Sequence, residues 1–170
     1  MTRVLGVDPG SVDLGYGVVE LQGSKAIHVG HGTIRAPRGD AFEQRLCYLY
    51  AELVGVLDRY VPEDAALESG FSARNVRSAL ALGEARGVVR LALAQRELPL
   101  AEYAPAAVKL AVGGHGHATK DQLAAMTGRI LGVDLRDCGR DASDALAIAL
   151  CHAQNLSRDR LLRRSARSGR

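Results

Sequence analysis

The sequence predicts an α/β fold: a five-stranded sheet of mixed strand directions, flanked by helices. Three observations carry that expectation. Three strand-like runs follow one another between Val4 and Ile34. From Phe42 onward, helical periodicity and short apolar runs alternate, the pattern of helices that cross over between parallel strands. The 170 residues are 47% hydrophobic and 24% charged, enough for one domain with a sizeable core.

Each element has its own signature. Val4-Leu5-Gly6-Val7 runs straight into Asp8 and the turn residues Pro9-Gly10, so it reads as a short buried strand. Leu14 to Leu21 reads as a second strand, antiparallel to the first, and Ala26 to Ile34 as a third. After the polar stretch APRGD, residues Phe42, Leu46, Leu49, Leu53, Val56, Leu57 and Tyr60 recur at spacings of three and four, an amphipathic helix with Pro62 just past its end. Asp64 to Glu68 is a short strand, Val76 to Gln95 a long helix rich in Ala, Leu and Arg, and Leu98 to Tyr103 a fifth strand. Pro105 suits the start of a helix. Beyond the loop Gly113-Gly114-His115-Gly116, Thr119-Lys120-Asp121-Gln122 has the form of a capping box and opens another helix. Asp141 to Gln154 is the last helix. The surplus apolar surface of the long helix, at Ala79, Leu80, Leu82, Ala85 and Val88-Val89, suggests a two-fold interface between copies.

Composition narrows the class. No apolar run is long enough to span a bilayer, and the N-terminus lacks an export signal, so the expected location is the cytoplasm, with no membrane partner. The cysteines Cys47, Cys138 and Cys151 are odd in number and far apart, as expected of reduced, partly buried thiols. The last thirteen residues hold six Arg and one Asp and so carry +5, against −2 for the rest of the chain. Residues 1–156 are therefore expected to form the folded domain and 157–170 a basic, flexible tail.

The acids carry the chemistry. Asp8 and Glu68 each end an apolar strand, and helical crossovers would bring those strand ends to one edge of the sheet, where ligands bind in open α/β folds. Two carboxylates on neighbouring strand tips repel one another unless a cation lies between them. Asp141 and Asp144, three residues apart, share one helix face. Read alone, that pair is an N-cap and a dipole-favoured first-turn acid. Four acids arriving by separate routes point instead to a site for Mg²⁺ or Mn²⁺. The basic residues Arg74, Arg77, Arg86 and Arg90 either line a nucleic-acid path or form a solvated face. His115 and His117 have no evident ligand partners and are expected at the surface.

VLGVDPGSVDLGYGVV, ALESGF followed by Asn75, and DASDALAIAL, in this order and spacing, resemble the RuvC Holliday junction resolvases of the ribonuclease H-like superfamily. The resemblance runs from about Arg3 to His152. It implies a ribonuclease H-like sheet and a homodimeric endonuclease that nicks a four-way DNA junction symmetrically, in recombination and repair. It further implies two ions per active site, Mg²⁺ or Mn²⁺, on Asp8, Glu68, Asp141 and Asp144, and partners of the RuvA and RuvB type. Lys109 and Lys120 would then lie near the active site and the DNA backbone, and Phe71 near the junction centre. Leu14 stands where family members commonly carry a small residue such as Thr, and Ser69-Gly70 where they often carry bulkier ones; neither removes a proposed ligand.

Three rival readings remain. The DPG turn with its glycine-rich second strand also resembles the phosphate-binding hairpin of actin-like ATPases and sugar kinases, but no second such half is present. A non-catalytic junction binder would not need all four acids. A ribonuclease H-like nuclease on RNA:DNA hybrids would use the same metal chemistry and differ only in substrate.

Overall fold

The structure is a computed structural model that describes residues 1–70 and 75–168, with the backbone alone at 164, 167 and 168. Strands β1 (Thr2–Asp8), β2 (Asp13–Gln22), β3 (Lys25–Arg35), β4 (Asp64–Glu68) and β5 (Leu100–Tyr103) form one sheet in the order β3-β2-β1-β4-β5. The first three strands pair antiparallel as a meander, while β4 and β5 are parallel to β1 and to each other. The parallel strands are reached through helices α1 (Phe42–Tyr60) and α2 (Val76–Gln95). Helices α3 (Pro105–Gly113), α4 (Lys120–Leu131) and α5 (Arg140–Ser168) follow. The capping box expected at α4 is formed: the Thr119 hydroxyl accepts from Gln122 N–H while the Gln122 side chain accepts from Thr119 N–H.

The sheet is covered on both faces. On one side Leu5, Val7, Leu14 and Val18 pack with Leu49, Leu53 and Leu57 of α1 and Val89 and Leu93 of α2. On the other, Val4, Val19, Leu21 and Ala66 pack with Leu146, Ile148 and Leu150 of α5, with Val108 of α3 and Leu123 of α4 alongside. Adjacent residues Val4 and Leu5 thus serve opposite cores, the period-two pattern of a strand buried on both faces. The three cysteines are free; Cys151 is buried, which pushes its thiol up to about 11, whereas Cys47 is exposed, contrary to expectation.

The approach of α5 to the sheet is unusually close. A Cβ on Gly6 would lie 2.2 Å from the Ala145 carbonyl oxygen, one on Gly15 2.0 Å from the Asp141 carbonyl oxygen, and one on Gly17 2.6 Å from the Leu146 nitrogen. Glycine at these positions in β1 and β2 lets the helix backbone rest directly on the strands. A part-buried polar chain adds a tie further along α5. His152 Nε2 lies 2.8 Å from Asp64 Oδ1 at the start of β4, and Nδ1 lies 2.7 Å from the Tyr103 hydroxyl of β5. A carboxylate only accepts, so Nε2 donates to Asp64 and Nδ1 accepts from Tyr103.

The last helix departs from expectation. It runs for 29 residues, so the basic segment expected as a flexible tail continues α5 as helix through Ser168. The chain has no Gly or Pro between Arg140 and Ser168, and its Arg, Leu and Ala are strong helix formers. Ser157 is buried, and Arg160 Nη2 donates to the Thr2 hydroxyl at 2.7 Å, docking the helix on the start of β1. At 1.5 Å per residue, Arg160 lies roughly 28 Å along the axis from Asp141. The basic end of α5 is therefore at the opposite pole of the sheet from the tips of β1 and β4.

Two glycines test this packing with opposite signs. Gly17→Ala presses a methyl into the α5 backbone and should cost at least about 1–3 kcal/mol. Gly55, exposed in the interior of α1 with open space where its Cβ would stand, should gain up to about 1 kcal/mol as Gly55→Ala. Urea melts of the two variants against the parent check both.

Candidate active site

β1 and β4 run in parallel register with Val7 beside Leu67, so Asp8 and Glu68 end neighbouring strands. On its other side Asp8 pairs with Gly15 of β2, and Gly15 is where the Asp141 backbone touches the sheet. The absent side chain at Gly15 thus brings the first turn of α5 beside Asp8. Asp144 follows one turn later on the same face. All four acids are half-buried.

The acids act on one another. The Asp8 carboxyl is pushed up to about 7, first by burial, then by the charges of Asp144, Glu68 and Asp141. Glu68 is raised by burial and then by Asp144, against Lys120, Arg86 and Lys109, which lower it. Lys120 Nζ donates to Asp144 Oδ2 at 2.7 Å, and that bond raises the Lys120 ammonium. Lys120 opens α4, and half-buried Lys109 lies on α3. Both lysines named from the sequence therefore act electrostatically on the acid cluster, Lys120 by direct contact and Lys109 through Glu68.

Among the described residues, no three His, Cys, Asp or Glu side chains converge tightly enough to hold an ion as they stand. The chemistry of the donor set nevertheless fits a hard divalent cation. Carboxylates that raise one another's proton affinity are within mutual electrostatic reach, and a cation relieves that repulsion. Phe71 and Arg74 lie outside the described residues. His115 and His117 are exposed, as expected.

Arg86 is the residue that the sequence reading misplaced. It is 7% exposed, neither on a solvated face nor free to line a nucleic-acid path. Its Nη1 donates to the Glu68 carbonyl oxygen at 2.6 Å, and its Nη2 to Glu102 Oε1 of β5 at 3.3 Å. Arg90 is ion-paired to the same Glu102, while Arg77 is exposed. The signal was present: Leu82, Arg86, Val89 and Leu93 fall on one stripe of α2, so Arg86 interrupts an apolar face.

Residues 4–152 match the family described as crossover junction endodeoxyribonuclease RuvC. The chain belongs to the RuvC family. RuvC of Thermotoga maritima is 45% identical over 151 residues, 89% of this chain and 90% of that protein. RuvC of Myxococcus xanthus is 51% identical over 151 residues, 88% of this chain and 79% of that protein. The solved structure of T. thermophilus RuvC in complex with Holliday junction substrate matches with a TM-score of 0.86 at 35% identity, covering 94% of this chain and 97% of that one. The ribonuclease H-like sheet expected from the sequence is thus the RuvC fold, and the family is one of nucleases. No helix among the described residues is long and apolar enough to cross a membrane.

The raised Asp8 has a consequence for stability. The folded chain holds this proton more tightly than the unfolded chain does, because the carboxyl is raised from 3.8 to about 7. Its contribution is fully favourable below about pH 4 and is lost as pH rises through 7. In chelator at pH 8, Asp8→Asn should therefore melt above the parent, by on the order of 2–4 kcal/mol at most. Near pH 4 most of that gain should vanish. Thermal melts at the two pH values check it, and a variant less stable than the parent at pH 8 would contradict it.

Proposed function

We propose that this RuvC-family chain resolves four-way DNA junctions by paired symmetric nicks, in recombination and repair. The observation that carries the reading is the meeting of Asp8, Glu68, Asp141 and Asp144 from two strand tips and one helix in a chain of this family. These four residues are the catalytic and metal-holding set, with two Mg²⁺ or Mn²⁺ ions per site. When bound, such ions generate the attacking hydroxide near neutral pH and stabilise the leaving 3′ oxygen.

The chain's own residues do the rest. The carboxylates fix where the ions sit, and β1, β4 and α5 hold those carboxylates at fixed positions. Lys120, already at hydrogen-bond distance from Asp144, stands ready to exchange that partner for a phosphate oxygen. Lys109 adds positive charge on the Glu68 side. Phe71, three residues beyond Glu68, is proposed to stack on a base at the junction centre.

A homodimer supplies two equal sites for a two-fold junction. Val76 and Leu80, one turn apart near the start of α2, are 76% and 63% exposed and suit that contact. Ala85 and Val89, counted toward the same interface in the sequence, are instead buried within the chain itself, Val89 in the core shared with the sheet. Junction-binding and branch-migration proteins of the RuvA and RuvB type, in the cytoplasm, complete the proposal. A hybrid nuclease remains the second reading, since its metal chemistry is the same.

Asp8→Asn, Glu68→Gln, Asp141→Asn and Asp144→Asn should each lower nicking by more than about 100-fold, because loss of an outer-shell partner alone costs 10–100-fold. Junction binding should persist in each variant. Incubation of the protein with Mg²⁺ and a labelled four-way junction, a duplex or an RNA:DNA hybrid tests the substrate, and preference for the hybrid would favour the second reading. Binding in chelator should survive and weaken as salt rises, through counterion release. Gel-shift assays across a salt series check that, and loss of all binding on chelation would contradict the separation of docking from cutting.

A further inference from the structure

We propose that Arg86 is a positioning residue for Glu68: its buried guanidinium, held in turn by Glu102, fixes the backbone at the tip of β4 and with it the place of the Glu68 carboxylate. The inference rests on Glu68 being a metal ligand. It deepens that reading by naming what keeps the ligand in place.

The argument begins with a peptide plane. The Glu68–Ser69 peptide is held at both edges. Its carbonyl oxygen accepts from Arg86 Nη1 at 2.6 Å, and its N–H donates to the Tyr103 carbonyl of β5 at 2.7 Å. A peptide is rigid and planar, so two bonds on opposite edges set its rotation about the chain. That rotation is ψ of Glu68, which leaves side-chain torsions as the main remaining freedom of the carboxylate. The restraint comes where regular structure stops. β4 ends at Glu68, and Gly70 adopts φ +119°, a turn that only glycine makes without strain.

The guanidinium is itself held. Glu102 Oε1 takes both Arg86 Nη2 and Arg90 Nη2, so α2 grips β5 and reaches β4 through the Arg86 fork. An arginine with 7% exposure sits among apolar residues only if its donors are spent, and a planar fork can span a carbonyl and a carboxylate at once. Lysine carries its three donors on one nitrogen and lacks the two separated, coplanar nitrogens that Arg86 uses here. The positive charge also favours an ionised Glu68 against the burial that opposes it.

The test compares Arg86→Lys and Glu102→Gln with the parent, and uses Glu68→Gln as reference. Four quantities are read: Mn²⁺ binding by calorimetry without DNA, the metal concentration for half-maximal nicking, junction affinity in chelator, and melting temperature. Arg86→Lys should need about 10–100-fold more metal in both metal readouts, as outer-shell changes do. Its junction affinity in chelator should stay within twofold of the parent. Glu102→Gln, which leaves Arg86 in place with a weaker anchor, should shift both metal readouts several-fold in the same direction. It carries the test if Arg86→Lys is not folded at the assay temperature. Parent-like metal binding in a folded Arg86→Lys, or in Glu102→Gln when only that variant folds, would overturn the positioning role. Parent-like metal binding and nicking in Glu68→Gln would instead overturn the metal reading of Glu68 itself.

Discussion

The contact on which the rest of this structure depends is helix backbone against strand backbone. Gly6, Gly15 and Gly17 leave nothing between the sheet and α5. Had any of them a side chain, the helix would stand further off, and Asp141 and Asp144 would retreat from Asp8. The spacing of the acids is thus set by residues that carry no chemistry. The same helix also supplies the largest share of one core, through Leu146, Ile148 and Leu150. Stability and site geometry are therefore specified by one interface, and they rise or fall together.

A second constraint is electrostatic. Four half-buried carboxylates stand within electrostatic reach of one another, and the surrounding cations answer from three helices: Lys120 on α4, Lys109 on α3 and Arg86 on α2. They do so in different ways. Lys120 contacts an acid directly, whereas Arg86 holds a backbone carbonyl and only its charge reaches the carboxylate. The fold stabilises the cluster enough to exist without making it comfortable, as the raised Asp8 shows.

Much of this was legible in the sequence because the signals were local. Asp8 and Glu68 stand at the ends of short apolar runs, Thr119 and Gln122 have capping-box spacing, and Phe42 to Tyr60 repeat with helical period. What escaped was set by contacts between distant residues. Gly15 and Gly17 read as a feature of β2, and nothing in their neighbourhood names α5 as the element they admit. Arg86 read as surface because arginine usually is, and its partners Glu68 and Glu102 lie 18 and 16 residues away. Asp64, His152 and Tyr103 form a part-buried chain from three elements that share no motif. The length of α5 was missed for another reason: its basic composition suggested solvent, although nothing in it breaks a helix.

That length gives the molecule an electrical polarity. Two of the four acids lie at the N-terminal end of α5, and the arginine-rich residues lie at its C-terminal end. The helix dipole runs the same way, with its positive end toward Asp141 and its negative end toward the arginines, so both charge groups are stabilised by the rod that separates them. A polyanion approaching in solution therefore meets opposite signs at the two poles. In the absence of cations the acids repel it and the arginines attract it. Divalent ions at the acids would neutralise only one pole. Cation loading would then lift the repulsion at the acid pole and leave the arginine pole as it was.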